Sequence, residues 1–242
     1  MANLYIVATP IGNLKDITLR ALEILFSVDY IACEDTRRTG QLLEQYRIKY
    51  TAILGVKPLK QIVQKPKFIS YYDEVEYKKI PEIIRLLTEG NNVALVSDSG
   101  TPLISDPGFK LVQECFKRGI KIVSLPGPTA VISALVSSGL PTNNFWFLGY
   151  LPSKSVQRRK LLSNLLNSFK FIKNTPTLIF FEAPHRMSES LNDIGEVFGD
   201  IEIVVAKELT KVHEEVWRGK VSQAQKEFIK PQGEIVILFS IP

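Results

Sequence analysis

Short apolar runs recur along the chain at residues 4–8, 30–33, 93–96, 120–125, 178–181, 201–206 and 235–239. Most stretches between them carry hydrophobic residues three and four positions apart, the spacing of one helix face. Short apolar strands alternating with amphipathic helices predict an α/β fold with mainly parallel sheets. Helix ends are marked too. Asp106 and Pro107 predict the N-cap and first position of a helix whose Leu111, Val112, Cys115 and Phe116 form the apolar stripe, with Gly119 as its stop. Pro81 predicts the opening of another helix over 82–89, closed by Gly90. Two prolines and a glycine, Pro126-Gly127-Pro128, interrupt the chain just after a strand, and fresh strands begin near Asn143. This predicts two α/β domains, 1–126 and 127–242.

The chain has 242 residues, 45% of them hydrophobic, enough for a large core. No apolar run approaches the roughly 20 residues of a membrane span, so a cytoplasmic location is expected. The formal charge of +5 permits a polyanionic partner without demanding one. The two cysteines, Cys33 and Cys115, sit in apolar segments without metal-ligand spacing and read as buried, reduced thiols. His185 and His213 lie in different turns and read as structural, so no metal site is expected.

In open α/β sheets ligands bind outside the carboxyl ends of the strands. The turns at those ends are where this sequence departs from ordinary polar loops: Thr9-Pro-Ile-Gly-Asn13, Glu34-Asp-Thr-Arg-Arg38, Ser97-Asp-Ser-Gly-Thr-Pro-Leu-Ile-Ser-Asp-Pro-Gly108, Pro126-Gly-Pro-Thr-Ala130, Glu182-Ala-Pro-His-Arg186 and Lys207-Glu-Leu-Thr-Lys211. Together they predict a cleft. Asp98, at a strand end before Gly100, can accept from a ligand ammonium or hydroxyl, while Ser99, Gly100 and Thr101 let backbone groups approach closely. No dinucleotide fingerprint or phosphate-binding P-loop occurs. Residues alone reach a cleft enzyme, or a binder, for a small zwitterionic or nucleoside-like ligand.

Taken together, these turns with Val7-Ala-Thr-Pro-Ile-Gly-Asn-Leu-Lys-Asp-Ile-Thr-Leu-Arg-Ala21, Ile31-Ala-Cys-Glu-Asp-Thr-Arg37 and Gly233-Glu-Ile-Val236 closely resemble the tetrapyrrole-methylase-like, class III methyltransferases. Within that family they resemble the branch acting on the ribose 2′-oxygen of cytidine 1402 in 16S ribosomal RNA. The resemblance implies two α/β domains with S-adenosyl-L-methionine in the cleft between them, no metal, a homodimer, and 16S rRNA within the small ribosomal subunit as partner. It implies that the Asp98 loop holds the methionyl or ribose part of the cofactor and that Pro10, Thr129 and Ala130 line it. Phe181, Ala206, Lys207 and the Gly233-Glu234 backbone would lie near its adenine. The chain departs from the family pattern in an apparent insert at 51–66, and in Lys207, where many members carry arginine.

A neutral ribose hydroxyl is a poor nucleophile, and a base that takes its proton helps. Glu34 and Asp35 are the candidates, with Arg37 and Arg38 for phosphate; the same Glu34-Asp35-Thr36 run could instead cap the following helix. Lys154, Arg158, Arg159 and Lys160 cluster at the start of a helix, where cations oppose the macrodipole, and are therefore candidate RNA contacts. Two alternatives remain: a class III methylase of a tetrapyrrole or other small molecule, and a non-catalytic RNA-binding assembly factor.

Overall fold

The computed structural model describes residues 2–53 and 65–241, so most of the 51–66 insert lies outside the described residues. The chain divides into two compact units, Met1–Thr129 and Ala130–Pro242. The first alternates β1 (Asn3–Val7), α1 (Leu19–Ser27), β2 (Tyr30–Cys33), α2 (Thr36–Ile53), β3 (Lys67–Ser70), α3 (Glu76–Thr88), β4 (Val93–Leu95), α4 (Phe109–Lys117) and β5 (Lys121–Leu125). Its sheet is parallel throughout, in the order β3-β2-β4-β1-β5. The central strands are buried on both faces, which is why they read as unbroken apolar runs. Leu22, Leu25, Ile31 and Leu43 fill one face beneath α1 and α2. Leu4, Ile83, Leu87, Leu111 and Cys115 fill the other beneath α3 and α4.

Two expected helix starts are displaced. α3 begins at Glu76 and carries Pro81 inside it. A proline one turn in forgoes a backbone hydrogen bond, but the first turn is held by the buried Glu76 carboxylate. It accepts from Tyr71 Oη at 2.9 Å, the Gly108 N–H at 3.0 Å and Lys110 Nζ at 2.8 Å. α4 starts at Phe109, and its N-cap is Gly108 at φ 133°, with no side-chain cap. Asp106 is therefore not the cap. A Cβ at position 108 would lie 2.6 Å from Leu95 Cδ2, so glycine is required both by the close approach and by the positive φ.

The second unit contains α5 (Ala130–Ser138), β6 (Phe145–Tyr150), α6 (Ser155–Phe169), β7 (Thr177–Glu182), α7 (Met187–Phe198), β8 (Glu202–Lys207), β9 (Glu215–Lys220), α8 (Val221–Glu227) and β10 (Ile235–Phe239). Its sheet, ordered β6-β7-β10-β8-β9, corrects the expectation of mainly parallel strands. β6 and β7 are parallel, whereas β7–β10, β10–β8 and β8–β9 are antiparallel. The cause is local. The turn at 208–214, with Glu208 and Thr210 at positive φ, folds β8 straight back into β9 without a crossover helix. β9 reads Glu-Val-Trp-Arg-Gly-Lys, the charged pattern of an edge strand, which hides it from a search for apolar runs. Among the described residues no helix is long and apolar enough to cross a membrane.

Candidate active site

The carboxyl ends of β1, β2, β4 and β5 carry the unusual turns of the first unit, and backbone hydrogen bonds tie these turns together. Thr9 and Gly100 exchange N–H to C=O bonds of 2.9 and 3.1 Å. Thr101 Oγ1 donates to the Pro128 carbonyl at 3.0 Å, and Thr9 Oγ1 to that of Ser97 at 3.1 Å. Pro10, Asp98, Ser99, Gly100 and Thr101 thus share one rim with the segment leading to Thr129. Gly100 sits at φ 84°, and an added Cβ would press on Ile11 Cγ2 at 3.2 Å. Beyond it Leu103 and Ser105 also take positive φ. Non-glycine residues held there cost energy and gather at functional loops.

The turn after β2 locks to the turn after β4. The Asp35 N–H donates to Asp98 Oδ1 at 3.3 Å, and the Asp98 N–H donates to the Glu34 carboxylate. Arg38 Nη1 donates to Asp98 Oδ2 at 3.0 Å. A cavity of about 210 Å³ opens beside this lock, lined by Asp98, Ser97, Arg38 and residues of α2 with Leu14. Burial, followed by repulsion from Asp98, raises the Glu34 pKa above the usual carboxylate range. Asp35 goes the opposite way. Arg37 grips its carboxylate through Nε at 3.1 Å and Nη2 at 2.8 Å, and the N–H groups of Arg37 and Arg38 donate to Oδ1. These bonds hold its pKa well below the usual range and make Asp35 the cap of α2. Asp106, half-buried and facing Glu34 and Asp98, is pushed up to about 6, chiefly by burial. The capping signature of Asp106-Pro107 conceals this role in the sequence, where its one trace is the repeat Ser97-Asp98 and Ser105-Asp106.

In the second unit Phe181, Val236 and Ala206 form one row across β7, β10 and β8, and Glu182, Ile235 and Lys207 form the next. Gly233 and Glu234 follow directly before β10. The Glu208 N–H donates to the Glu234 carbonyl at 2.9 Å and the Glu234 N–H to Glu208 Oε1 at 2.8 Å. Gly233, at φ 86°, lies so near Glu208 that a Cβ would fall 2.4 Å from its carboxyl carbon. The Phe181 ring packs edge-on to Phe147 and Tyr150. Lys207 Nζ pairs with Glu215 Oε2 at 2.7 Å. The expected adenine-side residues therefore share one end of this sheet, and α5, beginning at Ala130, packs on the sheet.

The expected RNA contacts at α6 need correction. Arg158 is 0% exposed, and its guanidinium bonds Asp193 Oδ2 at 2.6 Å and the carbonyls of Pro152 and Ser153 at 3.1 and 3.3 Å. It is a core residue that holds the turn before α6 and does not reach a phosphate. Arg159 pairs with Glu196 and Asp193. Lys154 and Lys160 remain exposed. Glu182 and Arg186 belong to the same buried network, with Arg186 Nη2 on the Leu151 carbonyl at 2.5 Å. Cys33 and Cys115 are buried free thiols, as expected, each pushed up to about 11 chiefly by burial. Among the described residues no group of histidines, cysteines and carboxylates could hold a metal.

Comparison with known proteins gives the site its context. The family described as Tetrapyrrole (Corrin/Porphyrin) Methylases matches residues 3–225. The chain is 47% identical over 242 residues to "Ribosomal RNA small subunit methyltransferase I" of Thermotoga maritima, covering 99% of each protein. The protein of the same name from Hydrogenobaculum sp. is 44% identical, covering 98% of this chain and 95% of that one. Among solved structures, uroporphyrin-III-C-methyltransferase from Thermus thermophilus aligns with a TM-score of 0.62 at 17% identity, covering 98% of this chain and 94% of that one. The cobalamin biosynthetic enzyme cobalt precorrin-4 methyltransferase aligns at 0.63 and 15% identity, with the same coverage. These two share the fold. The chain belongs to the tetrapyrrole methylase family, on the branch of the ribosomal RNA small subunit methyltransferase I proteins.

Proposed function

We propose that this protein transfers the methyl group of S-adenosylmethionine to a ribose 2′-oxygen of small-subunit ribosomal RNA, cytidine 1402 of 16S RNA being the nucleotide that the sequence resemblance names. The observation that carries this reading is the 47% identity over the whole length of a ribosomal RNA methyltransferase. A thermophilic uroporphyrin methyltransferase of the same fold was solved with S-adenosylhomocysteine. The residues present fit such a cofactor. Asp98 offers carboxylate oxygens to ligand hydroxyls or an ammonium, and Gly100, Gly108 and Gly127 keep the surrounding backbone free of side chains.

When bound, the cofactor supplies an electrophilic methyl carbon on a positively charged sulfur. The chain must align the attacking oxygen with that carbon and exclude water. Glu34 acts as the base that takes the 2′-hydroxyl proton, because a carboxylate raised above its usual range is a better base than Asp35, which two arginines hold far below it. Arg38 orients Asp98, and Lys154 and Lys160 supply charge for the RNA backbone. A homodimer working in the cytoplasm completes the reading. Mapping ribose methylation in small-subunit RNA from cells with and without the protein tests it: loss of one 2′-O-methyl group is expected. Unchanged RNA, with a methylated small molecule missing instead, would replace it.

A further inference from the structure

With Arg158 buried and Arg159 paired, α6 leaves the RNA footprint short of cations. A second basic surface lies in the first unit. α3 turns Tyr77, Pro81, Ile84, Arg85 and Thr88 toward a groove whose far wall is Lys110, Gln113, Glu114, Lys117 and Arg118 along α4 and its end. Both sets follow the three-and-four spacing of one helix face, and the groove holds about 710 Å³.

Four cations line it; Glu76 takes up one of them, Lys110, at 2.8 Å, and the one carboxylate on the lining itself is that of Glu114. That carboxylate is shared by Arg118 Nε at 2.7 Å and Lys117 Nζ at 3.7 Å, so one of the two charges stays uncompensated. At the upper end Lys110 Nζ lies 3.9 Å from the centroid of the Tyr77 ring, and that ring is 72% exposed. Arg85 pairs loosely with Glu89 at 3.7 Å. The upper end also joins the candidate active site. Glu76, next to Tyr77, accepts from the Gly108 N–H at the end of the Asp98–Asp106 loop.

We propose that the α3–α4 groove is a docking track for a single-stranded RNA segment next to the methylated nucleotide, with Tyr77 as its stacking platform and Arg85, Lys117 and Arg118 on its phosphates. An open aromatic ring followed by a positively charged furrow is the arrangement that binds unpaired nucleic acid without reading sequence. Charge complementarity favours RNA over an apolar protein segment. The inference rests on the RNA-methyltransferase reading above, and its test separates the two.

The test uses the full chain, small ribosomal subunits from cells lacking the protein, and a single-stranded oligoribonucleotide as binding probe. Tyr77→Ala should raise KM for the particle about tenfold, with kcat and S-adenosylmethionine affinity unchanged. Lys117→Glu combined with Arg118→Glu should weaken oligonucleotide binding and flatten its salt dependence, by about 0.7 in log–log slope for each phosphate no longer neutralised. Tyr77→Phe should rescue KM, which a merely structural role for the hydroxyl would not predict. Active variants with unchanged KM and unchanged salt slope overturn the groove. So does a loss of self-association in the double variant, which would assign this face to a second copy of the chain. If the unaltered chain methylates no particle, the activity reading falls, while the salt slope of oligonucleotide binding still decides the groove.

Discussion

The turn after β2 and the turn before α6 have the same look in the sequence, a knot of charge at a helix start, yet they fold to opposite ends. At Glu34-Asp-Thr-Arg-Arg38 the charges stay on the rim, and their surroundings push the carboxylates apart in acidity: burial, with repulsion second, raises Glu34 and Asp106, while hydrogen bonds from Arg37 lower Asp35. At Lys154–Lys160 the central cation turns inward, meets Asp193 and the carbonyls before the helix, and becomes part of the core. A charge cluster in a sequence therefore marks a site only where its members remain partly solvated and mutually frustrated; a member buried against an opposite charge is packing.

The largest expected effect breaks this contrast if it fails. Arg158→Ala removes the buried partner of Asp193 and leaves that carboxylate only the looser Arg159 contact at 3.7 Å and the Ser155 hydroxyl, which costs about 3–5 kcal/mol. For a chain of this size that corresponds to a fall of roughly 10 °C in the unfolding midpoint. Thermal unfolding followed by circular dichroism checks it. A midpoint unchanged within a degree, together with weaker RNA binding, would return Arg158 to the RNA surface.

Next comes the split within the acidic turn. Glu34→Gln should lower kcat about a hundredfold or more, the worth of a positioned base, and leave S-adenosylmethionine binding intact. Asp35→Asn keeps a side-chain oxygen to cap α2 and loses only the charge that Arg37 grips, so it should lower stability slightly, with a much smaller fall in kcat. Single-turnover methyl transfer beside cofactor calorimetry distinguishes them. Equal losses of rate in both variants would erase the division of labour between the two carboxylates.

Why is part of this visible in the sequence and part not? The parallel sheet of the first unit is legible because strands such as Val93–Leu95 are buried on both faces and leave an apolar signature that needs no partner to interpret. The antiparallel arrangement of the second sheet is not. The direction of a strand depends on the path of its connection, and Glu208 and Thr210 at positive φ are neither Gly nor Asn, the usual markers of such turns. The rim residues are legible as a group because Gly100, Pro126 and Pro128 punctuate the ends of strands. Arg158 misleads because sequence gives a side chain its chemistry and not its direction, and Asp193, its partner, lies 35 positions away. Asp106 misleads because Asp-Pro is a genuine capping signal, overridden here by Gly108 and the buried Glu76 that holds its N–H.

The smallest expected effect sharpens the contrast at Asp106. Burial raises its pKa in the folded chain to about 6 from an ordinary 3.8. The protonated form is thus the one that the fold prefers, so this group's contribution to stability is complete below the ordinary range and is lost as pH rises through 6. Asp106→Asn fixes a neutral side chain there. It should raise the unfolding midpoint by a few degrees at about pH 8 and change it little at about pH 4, the reverse of what loss of a helix cap would do. Scanning calorimetry at the two pH values reads the difference. A variant less stable at the higher pH would mean that the charged Asp106 serves the loop and that burial has no electrical hold on it.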